Sequence, residues 1–276
     1  MAAQPPLTRV VLKATSVADD LGYVALADLA DVLGPSTYRI IGGRMVTALV
    51  ARWQLGADLY RETGDTDLGV PPVVVREEGL IGRLVERGYE KIEGNRFARS
   101  IDDVPVTVRG VEGLPSAVVD VLVPSYRTRA RSNHRVSDDL VTTEVRGLAL
   151  ALQREPVLLH MQLHRLNGEQ LDVDVAFPDE VAALSLKAFA SRLRDKRTDV
   201  VDVWRCLEVA DAAGTDAAAF VEGEAAEAAR IVRSLFDRRD GAGLSALVDE
   251  QRLSGARADE RFTRIRALVQ RVLPAS

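Results

Sequence analysis

The chain has 276 residues, of which 47% are hydrophobic and 28% charged, with a formal net charge of −5. That is room for one large or two modest domains with a substantial core, and the acidic total excludes a general nucleic-acid coat while leaving a local basic groove open. Cys206 is the only cysteine, which excludes a disulfide framework and a cysteine-based zinc site.

Residues 8–33 are predicted helical, because Leu21, Val24, Leu26, Leu29 and Leu33 recur at helical spacing with acids between them. Gly34, Pro35 and Ser36 end that run. Residues 38–41 read as a short strand stopped by Gly42 and Gly43. Met45, Val46, Leu49, Val50 and Trp53 then follow at the spacing of a helix packed on a sheet. A strand at 66–70, a helix at 77–87 and strands around 103–109 and 117–123 continue an alternating α/β region. The last of these is nearly all apolar, as in a buried central strand.

Past Pro124 the arginines Arg127, Arg129, Arg131 and Arg135 crowd a polar loop. A β-rich stretch is expected next, from the alternation of Leu148, Leu150 and Leu152, of Val157 to Leu163, and of Leu171 to Phe177. Asn167-Gly168 marks a hairpin between the last two. From Pro178 the chain reads as helical, with breaks at 211–228 and 241–243. The boundary falls near 126–140, which divides the chain into 1–135 and 136–276. The expected class is α+β: a mixed sheet with flanking helices in the first lobe, and a hairpin with mainly helices in the second. No stretch of about 18 apolar residues is present, and the N-terminus lacks a signal-peptide pattern. A cytoplasmic protein with no membrane partner is expected.

Two segments carry residue types suited to chemistry. Asp65 and Asp67 stand at i and i+2 of a predicted strand, so both project from one face, close enough to share a divalent metal. Gly42 and Gly43 lie at a strand-to-helix turn, where backbone N–H groups can approach a triphosphate unhindered. Asp120 is a lone acid inside an apolar strand, costly unless paired or metal-bound. Asp172 and Asp174 repeat the D-x-D spacing, but Leu171, Val173 and Val175 fill the other face, so that pair reads as the wet side of an amphipathic strand. The second segment holds Lys187, Arg192, Arg194, Lys196, Asp199 and Asp202. Only four of the 36 basic residues are lysines, and Lys187 sits in an otherwise apolar helical stretch. Thr198 reads as an N-cap, and acids at 199 and 202 equally suit the first turn of a helix.

Taken in order, Gly42-Gly43, the R-x-T-x-D-x-D of Arg61–Asp67, Asp120, and K-x(4)-R followed by K-R-x-D-x-x-D resemble nucleotidyltransferases of the DNA polymerase β type. More closely, residues 38–207 are similar to the AbiEii/MenT-type toxins of bacterial toxin–antitoxin systems. The resemblance implies that Asp65, Asp67 and Asp120 are catalytic and bind Mg²⁺, with Mn²⁺ as the alternative ion, and that Lys187 and Asp199 are catalytic beside them. It implies that Gly42, Gly43, Arg44, Thr63 and Lys196 bind an NTP substrate. Many such enzymes place Ser directly after the first Gly; here the phosphate falls to backbone N–H groups, Arg44 or Thr63. The resemblance further implies a tRNA acceptor extended at its 3′ end, a block of translation and a cognate antitoxin protein. Arg127, Arg129, Arg131 and Arg135 are the favoured RNA contacts because they leave the Asp120 strand directly, with Arg261, Arg264, Arg266 and Arg271 of a late helix as a second track. Transfer to a protein or small molecule, and a non-catalytic binding module on the same scaffold, are the alternatives. Residues 208–276 carry no motif.

Overall fold

Residues 7–34, 37–77, 79–104, 115–193 and 197–275 are described by a computed structural model. Within them the strands are β1 Thr8–Lys13, β2 Arg39–Ile41, β3 Asp65–Gly69, β4 Glu90–Glu93, β5 Arg96–Ser100, β6 Ser116–Pro124, β7 His134–Arg135, β8 Val141–Thr142, β9 Glu144–Val145, β10 Val157–His164 and β11 Gln170–Phe177. The helices are α1 Val17–Val32, α2 Gly42–Arg52, α3 Pro72–Arg76, α4 Leu80–Glu86, α5 Leu148–Gln153, α6 Glu180–Leu193, α7 Arg197–Ala212, α8 Gly223–Phe236, α9 Ala242–Glu250 and α10 Ala256–Val272. The class is α+β, as expected.

The larger sheet runs β2-β3-β6-β5-β4, with β9 added beside the end of β6. It is mixed: β3 and β6 are parallel, and the other pairs along that path are antiparallel. The apolar run of β6 does what its composition predicts, burying Val119, Val121 and Val123 in the centre of the sheet. The smaller sheet is β1-β10-β11, with the hairpin turned at Asn167 and Gly168, the latter at φ +90°. Strand pairing therefore crosses the 135/136 position three times, through β1 with β10, β6 with β9 and β7 with β8.

Two sequence expectations are corrected. The predicted helix at 8–33 is a strand followed by a helix. Thr8–Lys13 buries Val10 and Leu12 while Val11 stays exposed, a period of two, and every helical repeat lies after Ser16. The Ser16 side chain caps α1 by accepting from the Asp19 amide at 3.2 Å. The alternating leucines at 148–152 form α5 instead of a strand. Leu148 and Ala151 share its buried face, and leucine and alanine favour the helix where no β-branched residue opposes it. The helix expected at 77–87 is present as α4, entered through Gly79 at φ +65°, whereas the short α3 before it was not foreseen. The strand expected at 103–109 lies largely outside the described residues. β4 and β5 were not foreseen, because β4 is exposed at all four positions and shows no apolar period.

Helices α1 and α2 join the layers. α1 packs on β6 and on β11, and α2 packs on β3 and on α6 and α7. The β10–β11 turn is pinned to α1 by buried Arg165, which donates to Asp20 at 2.9 Å, to Asp103 and to Glu169. Helices α6, α9 and α10 all contact α7, and α8 packs on α6, α9 and α10. No helix among the described residues is long and apolar enough to cross a membrane.

Candidate active site

The site begins with strand register. Asp65 and Asp67 are two residues apart on β3, so their side chains leave one face of the sheet, and Asp67 pairs across the parallel β3–β6 ladder with Asp120. All three acids line one cleft of about 620 Å³, together with Gly43, Arg61, Thr63, Arg96, Lys187 and Asp199. Two segments far apart in sequence thus meet in one place. α2 makes the junction, since it starts at the cleft and lies against both β3 and the α6–α7 pair.

Gly42 and Gly43 are needed for local reasons. Gly42 holds φ +70°, and a Cβ there would overlap the Asp67 carboxylate. A Cβ on Gly43 would stand 2.9 Å from Thr63 Oγ1. The start of α2 therefore approaches the acids at Gly42 and Gly43 as backbone alone, with Gly43 on the cleft wall. Thr63 is buried and its hydroxyl donates to Asp65 Oδ1 at 3.2 Å, orienting that carboxylate.

The opposite wall is cationic. Lys187 is 5% exposed and projects from α6 between two acids of α7: its Nζ is 2.8 Å from Asp202 and 3.6 Å from Asp199. Burial alone pulls the ammonium down, but the charges of Asp202 and Asp199 and the Asp202 hydrogen bond outweigh it, and its pKa stands above the ordinary lysine value. Asp202 is fully buried and also accepts from Arg61 and Arg205, each at 2.9 Å. Three cations against two carboxylates leave positive charge in surplus, and two of those cations, Lys187 and Arg61, face the cleft. Asp199 keeps one oxygen, Oδ2, buried without a hydrogen-bond partner.

Arg96 stands over the acids. From β5 it donates Nε and Nη2 to the two oxygens of Asp120, at 3.0 and 2.7 Å, and its Nη2 lies 3.6 Å from Asp65. Those hydrogen bonds and the Asp120 charge hold its guanidinium above the ordinary arginine pKa. The costly lone acid of β6 is thereby paired. Among the described residues, no three acid, histidine or cysteine side chains already stand at metal-holding spacing. The donor chemistry nonetheless fits a hard divalent ion: carboxylate oxygens of Asp65, Asp67 and Asp120 lie on neighbouring strands at one cleft.

Of the expected site residues, Asp65, Asp67, Asp120, Gly43, Thr63, Lys187 and Asp199 come together in the cleft. Arg44 does not. It is buried behind α2, where it lies over Gly22, donates to the Ala18 and Thr63 carbonyls and stands 3.6 Å from Asp19. Burial holds it below the ordinary arginine pKa. Its place is thus behind Thr63, away from the cleft. Lys196 lies outside the described residues. In the arginine loop, Arg127 and Arg129 are exposed, Arg131 is tied to Glu144 at 2.7 Å, and Arg135 is 3.8 Å from Asp138. Of the late-helix arginines, Arg264 pairs with Glu208 at 2.6 Å, Arg271 pairs with Asp211 at 2.7 Å, Arg261 lies over Trp204 and exposed Arg266 lies over Phe262.

Three site residues escaped the sequence reading as such: Arg61, Arg96 and Asp202. In the sequence Asp202 suits helix-dipole stabilisation as well as a site role, but α7 starts at Arg197, which puts Asp202 beyond the first turn. The available signal was Lys187 itself, because a lysine on an apolar face requires a buried counter-ion.

No family model matches this chain, and no curated protein does. Among solved structures, an antigenic nucleotidyltransferase-like protein from Paracoccidioides brasiliensis aligns over 94% of this chain and 95% of its own, at 15% identity and a TM-score of 0.46.

Proposed function

We propose that this chain is a nucleotidyltransferase that uses a divalent metal to transfer nucleotides from an NTP to the 3′ end of tRNA, as the toxin of a toxin–antitoxin pair acting in the cytoplasm. The observation that supports it most is the meeting, in one cleft, of an acidic face (Asp65, Asp67, Asp120) with a cationic wall (Lys187, Arg61) and a helix N-terminus. A nucleoside triphosphate needs that combination: a polyanion clamp beside carboxylates able to hold its metal. The toxin role, the tRNA acceptor and the antitoxin rest on the motif resemblance over residues 38–207.

Asp65 and Asp67 would hold Mg²⁺, with Asp120 at a second ion, and the metal would neutralise the triphosphate and orient its α-phosphate. The chain's own residues do the rest. The Gly43 amide at the start of α2 and the Arg61 guanidinium bind phosphate oxygens. Lys187 adds a fixed point charge, kept in place by Asp199 and Asp202. Thr63 holds the Asp65 carboxylate in orientation. Asp120 is the acid placed to accept the proton of the attacking 3′-hydroxyl, which requires that Arg96 release one of its oxygens. Pyrophosphate leaves in line.

The test is incubation of the protein with total tRNA, Mg²⁺ and each labelled nucleotide. Labelled tRNA is expected, with the rate reduced by at least about 10³-fold in Asp67→Ala, since metal charge stabilisation supplies several kcal/mol. Wild-type protein that labels no tRNA with any of the four nucleotides overturns the reading. Labelling of protein or small-molecule acceptors instead would keep the chemistry and replace the acceptor.

A further inference from the structure

A second chamber, of about 230 Å³, adjoins the cleft, and Thr143 lies on the wall common to both. Its character differs. α6 presents Lys187 to the cleft, whereas Leu186, Phe189 and Ala190 line the chamber and Leu193, 59% exposed, forms its rim. The facing wall is the end of the arginine loop at residues 130–132. The Arg146 guanidinium lies 4.1 Å over the Phe189 ring and is fixed there by two hydrogen bonds to Glu227, at 2.8 and 2.6 Å. The wall is therefore rigid before any ligand arrives.

We propose that this chamber receives the terminal unpaired nucleobase of the RNA acceptor, an inference that rests on the nucleotidyltransferase reading of the neighbouring cleft. Size, character and position converge on this occupant. A space of about 230 Å³ is below the roughly 300 Å³ at which sites for whole small molecules begin, so it suits one ring system and leaves ribose and phosphate outside. Apolar walls beside guanidinium groups match a π-face next to a phosphate chain. The loop that bounds the chamber also carries exposed Arg127 and Arg129, and Tyr126, 74% exposed in a chain with 5% aromatic residues. A strand whose phosphates follow that loop arrives with its last base in the chamber and its 3′-hydroxyl toward Thr143 and the acids. The incoming nucleotide has separate, polar surroundings in the cleft, at Asn95 and Asn133.

The test uses full-length protein and a single-stranded oligoribonucleotide with a 5′ dye for affinity and a 3′-terminal 2-aminopurine for the environment of the last base. Ala190→Trp fills the chamber and Leu193→Ser removes its rim, the latter at an exposed position that leaves the core intact. The 2-aminopurine emission is expected to change on binding to wild type. Ala190→Trp should weaken the oligonucleotide roughly tenfold or more, the effect of one lost base contact, and Leu193→Ser should weaken it less. Binding of a non-hydrolysable NTP analogue with Mg²⁺ should be unchanged in both. Oligonucleotide binding unaffected by either variant overturns the proposal, as does a loss confined to the NTP analogue, which would give the chamber to the incoming base. Wild type that binds the analogue but no oligonucleotide overturns the chamber and leaves the nucleotidyltransferase reading standing; wild type that binds neither overturns both.

Discussion

Asp202 organises the cationic wall. One buried carboxylate accepts from Lys187, Arg61 and Arg205, so removing its charge leaves three guanidinium or ammonium groups to repel one another in a partly desolvated space. Asp202→Asn is expected to lower stability by about 3 kcal/mol, the scale of a broken buried ion pair, as measured by urea unfolding. The pH dependence has a definite sign. Lys187 has a folded pKa above its unfolded value of 10.5, so the stability it contributes is complete below about 10.5 and lost only as pH rises through the higher folded value. Alkaline unfolding curves should therefore show the Lys187 contribution constant through neutrality. A Lys187→Met control, lacking that group, is expected to lose less stability than wild type above pH about 10.5. The importance of Lys187 was legible in its rarity and its apolar surroundings. Its partner was not, because a sequence shows that a buried lysine needs an anion without showing which of several acids folds against it.

Among the elements, α1 shows how a helix positions a site it barely touches. Buried Asp28 accepts from the Tyr89 hydroxyl at 2.9 Å and from Arg87 and Arg99, both at 2.7 Å. Those bonds fasten α1 to the segment that carries β4 and β5, and β5 in turn carries Arg96 to Asp120. Asp28→Ala is expected to cost about 3 kcal/mol in denaturant unfolding, near the lower end for a broken buried pair because the arginines retain solvent contact. Burial of Tyr89 and the Asp28 charge also raise its phenol pKa, so no titration of that hydroxyl interferes near neutral pH. Elements with one dominant period were readable in advance. β11 is the clear case: Asp172 and Asp174 are exposed while Val175 and Phe177 are buried, which separates this D-x-D from the one on β3. Short apolar runs were not readable, since three leucines two apart fit α5 as well as a strand.

At the scale of the whole molecule, the helices after residue 208 gain a purpose that no motif revealed. α9 and α10 pack on α7, and Glu208 and Asp211 of α7 are held by Arg264 and Arg271 of α10. Through α7 these helices fix Asp199 and Asp202, and so Lys187. The net charge of −5 is likewise distributed with purpose: acids converge on the sheet face while cations line the opposite wall and the loop beyond it. By itself the sequence determined the class, the central strand, the hairpin and the acids that share a face, because all of these follow from local periods and from the cost of burying charge. Tertiary structure alone decided that Arg44 turns away while Arg61 and Arg96 turn in, that Asp202 holds the lysine, and that Arg264 and Arg271 meet acids of α7. Each of those outcomes depends on which long side chain meets which carboxylate across tens of residues, and local spacing carries no information about that choice.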